Sequence, residues 1–130
     1  MTWNINGKEF ENVVRLKPEK RYEYFIKRVA DWHEIWSLWK DGWVLMGDKN
    51  QTEIVPVWPH PMFAEAFAVG EWLGYTPKKI DLEEWLTKWT PGMERDNRMV
   101  AVFPAGESQT TTASPLRLKT DLEEELGKYE

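Results

Sequence analysis

The chain has 130 residues, a net charge of −5, no cysteine and nine tryptophans. Disulfides and thiolate metal sites are therefore excluded, and the acidic balance argues against nucleic acid, which is held through basic patches. A length of this order with 42% hydrophobic residues fits a single domain, 1–130, large enough for its own core.

The start, MTWNINGKEF, lacks a basic stretch followed by an apolar run, and no apolar run is long enough to span a bilayer. The expected location is the cytoplasm, with no membrane partner. Phe10, Val13 and Val14 then repeat at i, i+3, i+4, which predicts a first short helix capped by Asn6. Pro18 suits the first position of a second helix, whose apolar stripe is Tyr22, Phe25, Ile26 and Val29. The basic residues of RLKPEKRYEYFIKR, Arg21 among them, read as its solvated face.

DWHEIWSLWKDGW (31–43) holds four tryptophans at i, i+4, i+7, i+11, a helical spacing. Asp41-Gly42 is nevertheless a strong two-residue hairpin signal, and the flanks are rich in strand formers. The stretch predicts a hairpin near 34–40 and 43–47 that pairs Lys40 with Trp43 and Trp39 with Val44. That register places Trp36 and Trp43 on one face and Trp39 on the other. Both faces are apolar, so the hairpin is covered on both sides or one face binds something.

TEIVPVW (52–58) predicts a third strand, with Pro56 implying an edge or a bulge. WPHP (58–61) is stiff, and Pro61 starts a helix expected to run to Gly74. Trp58 and His60 at this corner could form a recognition surface. Alternatively, Trp58 fills core and His60 caps the helix. YTPKKI is a connection or short strand. In DLEEWLTKW, Asp81 and Glu84 resemble a capping box, and Pro91-Gly92 should end the helix. RMVAVFP is an apolar strand, AGESQTTTASP a polar loop or weak hairpin, and TDLEEELGKYE a last helix with Thr120 and Glu123 as its capping box. The order α-α-β-β-β-α-α-β-α predicts an α+β fold, a small, mainly antiparallel sheet covered by helices.

The two histidines, His33 and His60, are too few for a zinc site without several carboxylates. No phosphate-binding glycine loop, HExxH or GxSxG is present, and no serine or threonine shows an activating partner. No catalytic residue, cofactor or metal is expected.

RYEYFIKRVADWHEIWSLWKDGWVLM, PVWPHPMFAEAF, IDLEEWLTKWTPGMERDNRMVAVFP and the final DLEEEL together resemble a bacterial family known as domain of unknown function 2750. The resemblance covers nearly the whole chain. It implies a small, single-domain, cytoplasmic protein with no assigned catalytic residues. A looser similarity extends to SseB-like domains and to some immunity proteins of bacterial toxin systems.

The resulting reading is a non-catalytic protein-interaction module, with neutralisation of a basic toxin as one version. The alternative is a small-ligand binder or weak enzyme with a pocket near Trp58 and His60. A sugar binder with exposed tryptophans is a third. Candidate surface residues are Trp36, Trp39, Trp43, Trp58 and His60. A partner-binding module requires a contiguous exposed patch, whereas a ligand binder requires a closed pocket lined by His60.

Overall fold

The computed structural model describes residues 3–47, 50–106 and 109–128. Helix α1 (Gly7–Val14) opens where the Asn6 side chain accepts from the Glu9 amide at 2.8 Å. Helix α2 (Pro18–Trp32) has Pro18 in its first turn and ends at His33, whose φ of 61° turns the chain into strand β1 (Glu34–Trp39). Both helices thus begin on local chemistry visible in the sequence.

The hairpin differs from expectation. The loop holds three residues, so Trp39 pairs with Trp43 and the Val44 amide donates to the Leu38 carbonyl at 3.0 Å. Asp41 takes a φ of 57°, which accommodates the extra residue. A slip of one residue reverses the faces, and Trp39 and Trp43 now lie side by side. Past Val44 the chain leaves β1 altogether. The full length of β1 pairs instead with strand β4 (Thr76–Asp81), antiparallel from Glu34↔Asp81 to Trp39↔Thr76.

A second sheet has the order β2 (Met46–Gly47), β3 (Glu53–Val57), β5 (Met99–Val102), β6 (Thr111–Ala113). Only the β3–β5 pair is parallel. Trp36 and Trp58 exchange both backbone hydrogen bonds, at 2.9 and 2.8 Å, and so join the free edge of β1 to the end of β3. Pro56 lies inside this sheet and not at its border. Its neighbour Val57 bonds toward β5, accepting from the Phe103 amide at 2.8 Å. Pro56 therefore faces the other way, where β2 has already ended, and its carbonyl accepts from the buried Ser37 hydroxyl at 2.7 Å. The missing N–H falls where no ladder needs it.

The fold is α+β and its strands are mainly antiparallel, in two joined sheets. Among the described residues no helix is long and apolar enough to cross a membrane. Helix α3 (Pro61–Phe67) stops well before Gly74. Pro91 does not end its helix: α4 (Leu82–Glu84) continues through a π turn (Trp85–Trp89) into α5 (Thr90–Arg95). Proline removes one helical donor and pushes away the carbonyl one turn back. The widened turn absorbs this, with the Thr90 amide and its hydroxyl both donating to the Trp85 carbonyl. Helix α6 (Pro115–Gly127) begins at Ser114, which accepts from the Arg117 amide, so Thr120 lies inside the helix and not at its cap.

One contiguous core links these layers, with Phe25, Ile35, Trp58, Trp85, Phe103 and Leu118 essentially inaccessible. Arg21 is buried with them, at 0% exposure, in contrast to the solvated face read for the basic run. Its guanidinium donates to the carbonyls of Phe103 (3.1 Å), Leu16 (2.6 Å) and Gln109. Burial lowers its pKa, yet a guanidinium stays charged. Replacing Arg21 with alanine strips the donor from the buried Phe103 carbonyl and from two part-buried ones, and we expect a loss of about 3 kcal/mol in urea unfolding; a variant as stable as the parent would contradict this role.

Candidate functional site

At one end of the β1–β4 ladder, the 40–42 turn leaves β1 and residues 68–75 lead into β4, so the two loops lie together. The Thr76 hydroxyl donates to the Trp39 carbonyl at 3.3 Å. The Lys40 side chain crosses Gly74, its Nζ 3.3 Å from where a Cβ would stand. Gly74 has a φ of +96°, open to glycine and strained for other residues.

The 68–75 loop is built from successive tight turns. The Val69 amide donates to Phe67, Trp72 to Val69, Leu73 to Gly70 and Tyr75 to Trp72, all between 2.9 and 3.1 Å. With its backbone held this way, the loop directs Val69 and Leu73 outward, 62% and 71% exposed. Trp72 and Tyr75 pack edge to face behind them.

A line of indoles runs inward from the same end. Trp39 meets Trp43 edge-on at 5.1 Å, Trp43 meets Trp89 edge-on at 5.0 Å, and Trp89 stacks on Trp85 at 5.3 Å. The first three are half-buried and Trp85 is fully buried. The Lys78 ammonium lies 3.7 Å from the centroid of Trp39 and 5.3 Å from that of Trp43, a cation–π arrangement. The result is an ordered, partly exposed aromatic tip with an aliphatic rim.

Of the five residues proposed from sequence, the structure brings Trp39 and Trp43 together at this tip. Trp36 is half-buried along β1. Trp58 is 0% exposed, its Nε1 donating to the Pro104 carbonyl at 2.8 Å. His60 is 5% exposed. Its Nε2 donates to the Trp3 carbonyl at 2.7 Å, and its Nδ1 accepts from the Met62 amide at 3.1 Å, which caps α3. Both ring nitrogens are thus engaged in the neutral form. Val69, Trp72, Leu73, Lys78 and Trp89 were not singled out in the sequence. The glycines at 70 and 74, bracketing Glu71, Trp72 and Leu73, were the available signal that this stretch is not helix.

Among the grooves elsewhere on the described residues are these two. An apolar one of about 270 Å³ is walled by Phe10, Phe63, Phe67, Phe103 and Pro104. Trp58 and His60 sit directly behind it, against Phe67 and Phe63, without lining it. The other, about 310 Å³ between α2 and α6, is charged, and its Tyr22 hydroxyl donates to Asp121 at 2.5 Å. Among the described residues no three His, Asp or Glu side chains converge as metal ligands.

Fold and tip together define a small α+β protein with a preformed aromatic surface. The chain belongs to the family described as protein of unknown function (DUF2750), whose model matches residues 22–122. That span contains the whole tip. No curated protein matches the chain.

Burial holds the His60 pKa below its usual 6.5, outweighing the hydrogen bond to Trp3 and the nearby Glu34 and Glu9, which favour the charged ring; Arg28 opposes it. The unfolded chain therefore binds more protons as pH falls through 6.5. The contribution of neutral His60 to stability is full above that pH and declines below it, until the folded-state pKa is passed. The urea midpoint should drop further for the parent than for His60→Asn between about pH 7.5 and about pH 5.5. Equal drops would show that His60 does not titrate as described.

Proposed function

We propose that this chain is a cytoplasmic, single-domain, non-catalytic protein-interaction module that binds through the tip formed by residues 39–43 and 69–78. The observation that carries the reading is the meeting of two loops at this end of the β1–β4 ladder, tied by the Thr76 hydroxyl to Trp39 and by Lys40 crossing Gly74. Val69 and Leu73 are exposed on a hydrogen-bonded loop, beside Trp72, Tyr75, Trp39 and Trp43. Singly exposed aliphatic residues are ordinary, but a clustered apolar patch on an ordered surface is a mark of contact sites. Aromatic side chains also supply much of the energy in such contacts. Trp36, Trp58 and His60 then act as the frame that holds the tip.

The apolar groove favours a second reading, a small-ligand binder that uses Phe10, Phe63 and Phe103 in place of a pocket lined by His60. Its volume lies near the lower end for ligand sites.

A photo-crosslinking amino acid at position 73 should yield adducts in the cells that make the protein, whereas the same group at Leu116, exposed on α6, should not. Trp43→Ala should reduce the adducts at position 73. Absence of adducts at 73, or equal yields at 73 and 116, would remove the support for a binding tip.

A further inference from the structure

We propose that Asn6 is a site of self-modification, where the backbone converts the side-chain amide into a carboxylate through a cyclic imide. The proposal goes beyond the binding tip and does not depend on it. The reaction needs a side-chain amide, a reachable nitrogen on the next residue and room for a five-membered ring. The chain has five asparagines, Asn4, Asn6, Asn12, Asn50 and Asn97, and only Asn6 is followed by glycine. Asn6 and Gly7 are both exposed, and no atom lies within 4 Å of where a Cβ on Gly7 would stand. Glycine lets the main chain turn its nitrogen toward the preceding side chain at the least steric cost. As the first residue of α1, Gly7 has no partner for its N–H within the helix.

The other four positions lack this combination. Asn4 precedes the branched Ile5, and Asn50 precedes Gln51. Asn12 lies inside α1, where the next amide nitrogen, that of Val13, is held by helical bonding. After Asn97, the Arg98 amide donates to the Met93 carbonyl at 2.8 Å.

The Gly7 nitrogen gives its proton to water and bonds to Cγ of Asn6. The Cγ–Nδ2 bond breaks, and Nδ2 leaves as ammonia with a proton from water. Water then opens the imide. Cleavage of the nitrogen bond to Cγ leaves aspartate. Cleavage of the bond to the main-chain carbonyl leaves isoaspartate, with the chain continuing through the former side chain. Either way one amide and one water become one carboxylate and one ammonium, with no oxidation. During the addition negative charge gathers on Oδ1, which already accepts from the Glu9 amide at 2.8 Å. A donor fixed at that position stabilises the charge, and the N-terminus of α1 favours the carboxylate that results.

The two products act differently on α1. Aspartate caps a helix as well as asparagine does. Isoaspartate lengthens the main chain by a methylene and displaces the capping acceptor. Helix α1 carries Glu9, which accepts from the Tyr24 hydroxyl and from Arg28, and Phe10, which stacks on Phe63 at 5.1 Å. These are the ties that isoaspartate loosens.

The test is incubation of the full folded chain at mildly alkaline pH without denaturant, followed by peptide mass spectrometry. The mass gain of amide-to-acid exchange should build up at Asn6 about tenfold faster, or more, than at any other asparagine. Gly7→Ala, which meets open space and suits a helix, should slow the gain about tenfold. Asn6→Asp should show no gain at this position and keep the parent's urea midpoint. The isoaspartate fraction separated from aged parent should unfold at a lower midpoint. A gain at Asn6 no faster than at Asn12 or Asn97 overturns the proposal, as does a rate unaltered by Gly7→Ala. An isoaspartate fraction as stable as the parent overturns the loosening of α1.

Discussion

The buried guanidinium of Arg21 ties the corner between the first two helices to both ends of the connection from β5 to β6. It reaches the corner between α1 and α2 at Leu16, the end of β5 at Phe103 and the approach to β6 at Gln109. Each of these carbonyls ends or begins an element, where the backbone lacks a ladder partner. Phe103 makes the arrangement possible by adopting a φ of 62°, a conformation that L-residues rarely take. Its amide donates to Val57 while its carbonyl turns to Arg21, and its ring packs 4.6 Å from Phe63 and 6.1 Å from Tyr24. The local strain at Phe103 is offset by a charge-assisted hydrogen bond and by aromatic packing.

From this anchor, α2 lies across β1, β5 and β6, and α6 packs on α2. The two sheets are joined at Trp36 and Trp58, whose backbones bond to each other. The consequence for β1 is that both its edges are used. β4 takes one, while Trp58 and the 43–44 turn take the other. Of the nine tryptophans, Trp3, Trp58 and Trp85 are buried and the other six are half-buried.

Features decided by local chemistry were legible in the sequence. The Asn6 cap, Pro18 at the start of α2, the apolar stripe of Tyr22, Phe25, Ile26 and Val29, and the α+β class all follow from spacing and capping. Features decided by distant partners were not. The 41–42 turn is where its Asp-Gly signal placed it, but its register depends on packing of Trp43 against Trp39 and Trp89, which the turn residues do not encode. The assignment of β4 as the main partner of β1 joins segments some forty residues apart. Pro91 read as a stop because its missing donor normally ends a helix; here a π turn and the Thr90 hydroxyl absorb the defect. Arg21 read as solvated because its neighbours in sequence are, and only the fold brings three carbonyls to it. For the tip, Trp39 and Trp43 could be picked out by composition, whereas Val69, Leu73 and Lys78 required the loop geometry.

The indole line from Trp39 to Trp85 has a bearing on how this surface meets another molecule. Its inner member is locked in the core, stacked on Trp89, with its carbonyl held by Thr90. Each outer ring rests on the one before it. A side chain that must be immobilised on contact forfeits rotamer freedom, and that loss weakens association. Here the core has already fixed the orientation of the outermost rings, so the surface is in effect the outer layer of the interior. Little freedom is left for a contact to remove.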